Sequence, residues 1–194
     1  MNDLTLTARD ESSVAGIEAA LARNRAFASA GGHEGATLFP TLGLLVVTCV
    51  DPRVDPAHIL GLELGDAIVL RNNGGRITPQ VLDDLAYVSQ LAEAARPEGL
   101  LFEIAVIHHT QCGAARLADD AFRHQYAERI GADESGLRAY AVLDPTATAT
   151  TDVNRVRAAS AISPRIAVSG HVYDVATGLI ETVIQAQPVG GGAP

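Results

Sequence analysis

Cys49 and Cys112 are the only cysteines among 194 residues, and each sits in a segment rich in metal-binding groups. Cys49-Val50-Asp51-Pro52-Arg53 ends the apolar run Leu44-Leu45-Val46-Val47. His109-Thr110-Gln111-Cys112 ends a second run, Ile104-Ala105-Val106-Ile107. Two thiolates, an imidazole and a carboxylate form a tetrahedral donor set for zinc. Cys49, His109 and Cys112, with Asp51 as fourth donor, are therefore the candidate metal ligands, for one Zn2+ per chain. Three protein ligands and a water make an open, catalytic site; Asp51 on the metal closes it.

Each residue also has a plainer reading. The cysteines can be buried apolar side chains, or a disulfide where the compartment is oxidising. A redox dithiol is opposed by the absence of Cys-x-x-Cys. Asp51-Pro52 alone reads as a turn, and Arg53 alone as a surface ion pair. Together the two segments use every cysteine, which favours the metal. A guanidinium two residues from Asp51 can take its carboxylate in a two-pronged pair. That would hold Asp51 off the metal, ready to accept a hydrogen bond from a metal-bound water or hydroxide. A closed structural zinc has no need of such an arginine, so Arg53 separates a catalytic from a structural site.

The elements that position these segments read as α/β. Short apolar runs over 42–48, 67–70 and 102–108 fit strands covered on both faces. A helix is expected over 13–29, with Val14, Ile17, Leu21 and Ala28 on one face and Asn24 interrupting it. Thr78-Pro79 is a helix start, and Val81, Leu85, Val88 and Ala92 form its apolar stripe. Residues 113–130 read as helix, with Asp119-Asp120 on a solvated face. The Thr- and Ala-rich stretch 144–154 reads as loop, followed by a short helix over 154–161. Residues 166–175 and 179–184 read as two strands around Ala176-Thr177-Gly178. The expected fold is a mainly parallel central sheet flanked by helices, with an added C-terminal strand. It forms one domain over 1–194, with an N-terminal helical arm over 1–35 and a flexible tail over 188–194. Ligands of open α/β sheets sit beyond the carboxyl ends of the strands, where both segments lie. Strand alternation sends His108 away from His109, so His108 reads as structural. His33, His58, His124 and His171 lack a partner motif and receive no role.

Composition excludes other classes. The formal charge is −9 and all basic residues are Arg, which argues against nucleic acid or an anionic membrane. Aromatics make up 4% and Trp is absent, against a base- or sugar-stacking site. No apolar stretch approaches the roughly 20 residues of a membrane span. Met1-Asn2-Asp3-Leu4 opens no secretory signal, so the expected location is cytoplasmic.

Cys-x-Asp-x-Arg, followed about sixty residues later by His-x-x-Cys-Gly, resembles the β-class carbonic anhydrases. Arg71-Asn72-Asn73-Gly74-Gly75, the helix from Thr78 to Leu91, and Gly170-His171-Val172-Tyr173-Asp174 resemble further segments of that family. The resemblance spans about residues 40–185. It implies a zinc lyase hydrating carbon dioxide reversibly to bicarbonate through zinc-bound hydroxide. It implies Asp51 and Arg53 as the catalytic dyad and a homodimer, or an assembly of dimers, as the active form. Some relatives with the same ligands hydrolyse carbon disulfide or carbonyl sulfide instead. Two thiolates cancel the zinc charge, so a bound water should be less acidic here than on a three-histidine zinc, where its pKa is about 7.

Overall fold

The computed structural model describes residues 16–190. The chain divides into two compact units, Met1–Leu38 and Phe39–Pro194. In the first, α1 spans Gly16–Ser29 and none of its residues is buried. Val14 of the expected stripe lies outside the described residues, while Ile17 and Leu21 are exposed.

The second unit is built on five strands: β1 Leu44–Cys49, β2 Ala67–Asn72, β3 Glu103–His109, β4 Ala167–Asp174 and β5 Leu179–Pro188. Their order is β2-β1-β3-β4-β5. The first three pairings are parallel, and only β4 with β5 is antiparallel. The helices are α2 Pro56–Ile59, α3 Pro79–Ala95, α4 Asp120–Ile130, α5 Glu134–Arg138 and α6 Pro145–Arg157. This is the mainly parallel, helix-flanked sheet that the apolar runs imply. Alternation divides the sheet into two apolar faces. On one, Leu45, Val47, Ile104, Val106 and Val168 pack with Leu85 of α3 and Val153 and Val156 of α6. On the other, Val46, Ala105 and Ile107 join a cluster containing Cys49, Cys112, Val142 and Tyr173.

Three expectations are corrected. Residues 145–157 form α6, not a loop. Asp144 caps it by accepting from Ala147 N–H at 3.0 Å, and Pro145 takes the first helical position. The low helix propensity of Thr is offset by burial of Ala149, Asp152, Val153 and Val156, which recur at helical spacing. The hydroxyls of Thr150 and Thr151 donate to carbonyls four residues back instead of leaving the helix. The expected helix over 113–130 is broken: Gly113–Ala118 is 3-10, and α4 starts afresh. Asp119 causes the break, accepting from Phe122 N–H at 2.8 Å as the cap of α4. Asp120 is not merely solvated either, since it pairs with Arg123 and Arg138. Lastly, β5 runs through Pro188, and Val189 is buried with its N–H on Ile166 O. Residues 188–190 are thus placed, and 191–194 of the expected tail lie outside the described residues. Among the described residues, no helix is long and apolar enough to cross a membrane.

The cap on α6 makes a direct prediction. Asp144→Ala removes the acceptor for Ala147 N–H and should cost about 1 kcal/mol of stability. Urea denaturation measures it, and a variant as stable as the parent would show that the cap contributes nothing.

Candidate metal centre

Cys49 is the last residue of β1 and His109 the last of β3, so the parallel pairing of these strands brings them together at their carboxyl ends. Cys112 must then turn back. Thr110 pins the chain to the end of β4: its N–H donates to Tyr173 O and its hydroxyl to Asp174. Gln111 next adopts φ 55°, the only positive φ outside glycine among the described residues. A left-handed residue here reverses the chain and returns Cys112 to the site. Sequence patterns did not reveal it, because Gln carries no conformational signature for that region.

One ligand atom from each of Cys49, His109 and Cys112 lies within 4.8 Å of the others, and all three residues are buried. The two sulfurs are 4.0 Å apart, and both cysteines are free. Two Zn–S bonds of about 2.3 Å at the tetrahedral angle would separate their sulfurs by about 3.8 Å. His109 Nδ1 lies 2.9 Å from Thr110 O. A carbonyl only accepts, so Nδ1 carries the proton and Nε2 carries a lone pair. That Nε2 is buried and makes no hydrogen bond. An orphaned imidazole lone pair beside two sulfurs is the arrangement a soft cation satisfies.

The sulfur electrostatics agree. The Cys112 hydrogen bond is the main cause that lowers Cys49 to about 4, against its burial. The Asp51 amide, 3.5 Å from the sulfur, assists. Cys112 is pushed up, first by the same hydrogen bond and then by burial. Two sulfurs this close share one proton, and a divalent cation is what permits both to be thiolates.

Asp51 stands outside that trio. It caps the 3-10 turn Pro52–Val54, accepting from Arg53 N–H at 2.9 Å. Arg53 also donates from Nε to Oδ1 at 3.0 Å and from Nη2 to Oδ2 at 2.7 Å. This side-chain hydrogen bonding holds Asp51 well below the usual carboxylate range, despite burial. A carboxylate offers about four acceptor positions. Three are filled, two of them at Oδ1, so the position left is on Oδ2. Arg53 Nη2 also donates to Gln111 O at 3.1 Å. One guanidinium thus joins the Asp51 carboxylate to the turn that presents Cys112.

Arg71 stabilises the same segment from below. It donates to the carbonyls of Cys49 and Asp51 at 2.9 and 2.8 Å, and to Asp55 at 2.8 Å. On the sequence alone this arginine was only part of a resemblance; its partners are backbone carbonyls, which no residue pattern reveals. His108 turns the other way, as alternation expects, with both ring nitrogens engaged. The Asn73–Gly75 turn lies on the cysteine strand. Gly75 has φ 66°, and a Cβ there would stand 2.9 Å from Cys49 N and from Thr48 C.

A family model described as carbonic anhydrase matches residues 44–132. β-Carbonic anhydrase 1 of Mycobacterium bovis is 33% identical over 168 residues, covering 84% of this chain and 94% of that protein. The crystal structure of a carbonic anhydrase from Streptococcus mutans superposes with TM-score 0.72 at 31% identity, over 86% of this chain and 96% of that one. A carbon disulfide hydrolase of Acidianus is 25% identical over 157 residues, 69% of this chain and 74% of that protein.

The turn over Cys49 predicts a sensitive position. Gly75→Ala places a methyl group against backbone atoms at a left-handed φ, so it should destabilise the protein by about 1–3 kcal/mol. Chemical denaturation tests this, and a change within experimental error would mean the turn can lift freely off β1.

Proposed function

Because this chain belongs to the β-carbonic anhydrase family, we propose that it is a zinc lyase interconverting carbon dioxide and bicarbonate. The observation that carries the reading is the meeting of three buried soft donors with a carboxylate locked to Arg53 beside them. Cys49 Sγ, His109 Nε2 and Cys112 Sγ would hold the ion. When bound, zinc supplies the Lewis acidity that makes water nucleophilic near neutral pH.

The chain's own residues then direct the nucleophile. Asp51 stays ionised because Arg53 donates to both of its oxygens. It can only accept, so its open Oδ2 position accepts a hydrogen bond from the attacking water or hydroxide and fixes the remaining lone pair. Arg53 performs two tasks. It keeps Asp51 from serving as a fourth ligand, and through Gln111 O it keeps the carboxylate in register with Cys112. The new bond joins the water oxygen to the carbon of carbon dioxide; the products are bicarbonate and one proton. The same site suits attack on the carbon of carbon disulfide or carbonyl sulfide. Similarity to a carbon disulfide hydrolase keeps that reading second, at lower identity and coverage. A purely structural zinc is disfavoured, since the fourth donor is held away by an arginine. Two free thiols suit a reducing compartment such as the cytoplasm.

The active form in this reading is a homodimer or a multiple of one. Supporting it are the unburied α1, with Ile17 and Leu21 exposed, and the edge strand β2, where Val69 is exposed. Light scattering at micromolar concentration should give at least twice the chain mass; a single-chain mass would contradict this.

Elemental analysis of purified, reduced protein should find one zinc per chain, with Cys49→Ser and Cys112→Ser each losing it. Arg53→Ala should keep the metal while carbon dioxide hydration, followed by stopped flow, drops about 10²-fold. Hydration at the parental rate in Arg53→Ala would remove the dyad from the mechanism. Turnover of carbon disulfide without carbon dioxide hydration would reverse the order of the two substrate readings.

A further inference from the structure

His108 and Asp152 are wholly buried and Arg76 nearly so, yet the proposed reaction uses none of them. Asp152 lies on α6. Its Oδ2 accepts from Arg76 Nε at 2.6 Å and lies 3.3 Å from His108 Nε2. Its Oδ1 accepts from Arg76 Nη2 at 3.2 Å and Arg155 Nη1 at 2.8 Å. Burial raises the Asp152 pKa, but hydrogen bonds from His108 and Arg76 outweigh it and hold the group below the usual range. The protein therefore maintains a buried carboxylate with a full set of donors, and those donors lead to the metal centre.

His108 makes the connection. Its Nε2 also lies 3.2 Å from Gly75 O. A carbonyl and a carboxylate both accept, so Nε2 carries the proton and is shared between them. Its Nδ1 meets Thr148 Oγ1 at 2.7 Å, a hydroxyl able to play either part. Adjacent histidines are thus fixed in opposite tautomers: His109 exposes its Nε2 lone pair, and His108 donates from Nε2 to the turn. That turn has little room to adjust. Gly75 rests on Cys49 N, and a Cβ at Gly74 would meet Ala114 at 3.0 Å and Val142 at 3.3 Å. The turn therefore rests directly on the backbone that carries Cys49 Sγ.

We propose that His108 and Asp152 are positioning residues for the metal centre: through the Gly75 carbonyl they hold the turn against the Cys49 backbone, and so set the placement of Cys49 Sγ and the strength with which Cys49 holds zinc. The proposal rests on the reading of Cys49 as a zinc ligand. A group that fixes the orientation of a ligating residue governs how well that residue meets the metal, and outer partners commonly control affinity in this way.

The test uses the full chain in its zinc-loaded form. His108→Leu removes the donor to Gly75 at similar volume, whereas His108→Gln retains an N–H. Zinc affinity is measured by chelator competition. The thiolate-to-metal absorption of the cobalt(II)-substituted protein is recorded, together with thermal unfolding. His108→Leu should bind zinc about tenfold more weakly and shift the cobalt absorption, with His108→Gln restoring most of both. Thr148→Val removes the Nδ1 partner while keeping the Nε2 donor and should give a loss of about threefold; it serves if His108→Leu fails to fold. A role confined to stability would lower the melting temperature and leave the cobalt absorption in place. Parental zinc affinity and cobalt absorption in whichever variant folds overturn the proposal while leaving Cys49 as a ligand. A parent protein that takes up no zinc overturns both.

Discussion

The register between β1 and β3 is the constraint on which the candidate metal centre depends. Leu44 pairs with Glu103 and Thr48 with Ile107, so the two strands end together and place Cys49 near His109. Side chains alternate along a strand, and a one-residue slip would turn each of them to the opposite face. His108 would then face the cysteines and His109 would face α6. The register is held by burial on both faces: Leu45, Val47, Ile104 and Val106 on one, Val46, Ala105 and Ile107 on the other. A slip would exchange the two apolar sets as well as the two histidines, so the core that gives the sheet its stability also selects the donor atoms.

Neighbouring polar groups are kept apart by this alternation. On one face His109 leaves a lone pair among sulfurs. On the other His108 joins Asp152 and Arg76. Replacing one partner of such a buried pair strands the other, which makes the arrangement specific whether or not it adds net stability. The Asn73–Gly75 turn lies between the two sets. It touches the Cys49 backbone directly and receives a hydrogen bond from His108. Here glycine is required by contact as well as by φ, since even a methyl group would meet the strand backbone.

Much of this was legible in the residues. Apolar runs marked the strands, and Thr78-Pro79 marked the start of α3, because burial and capping are local demands that leave local patterns. The stretch over 145–157 was not legible as helix. Its threonines speak against a helix in isolation, and what overrides them is burial of Ala149, Val153 and Val156 against the sheet. Asp119 is exposed, as expected, but its role as the cap of α4 was not legible, because an aspartate that caps a helix and one that only faces water look alike until the backbone turns around them.

The sequence by itself picked out the candidate donors, because only Cys49 and Cys112 supply thiols and both end apolar runs. It also determined that Arg53 lies within reach of Asp51, since two residues of chain cannot separate them far. Tertiary structure alone decided the rest. The left-handed Gln111 that returns Cys112 is held by Thr110, which bonds to the end of β4, and by Arg53. The tautomer of His108 follows from Gly75 and Asp152, 33 and 44 residues away. Such choices depend on atoms brought together by packing from distant parts of the chain, and a pattern of residue types along one segment carries no record of them.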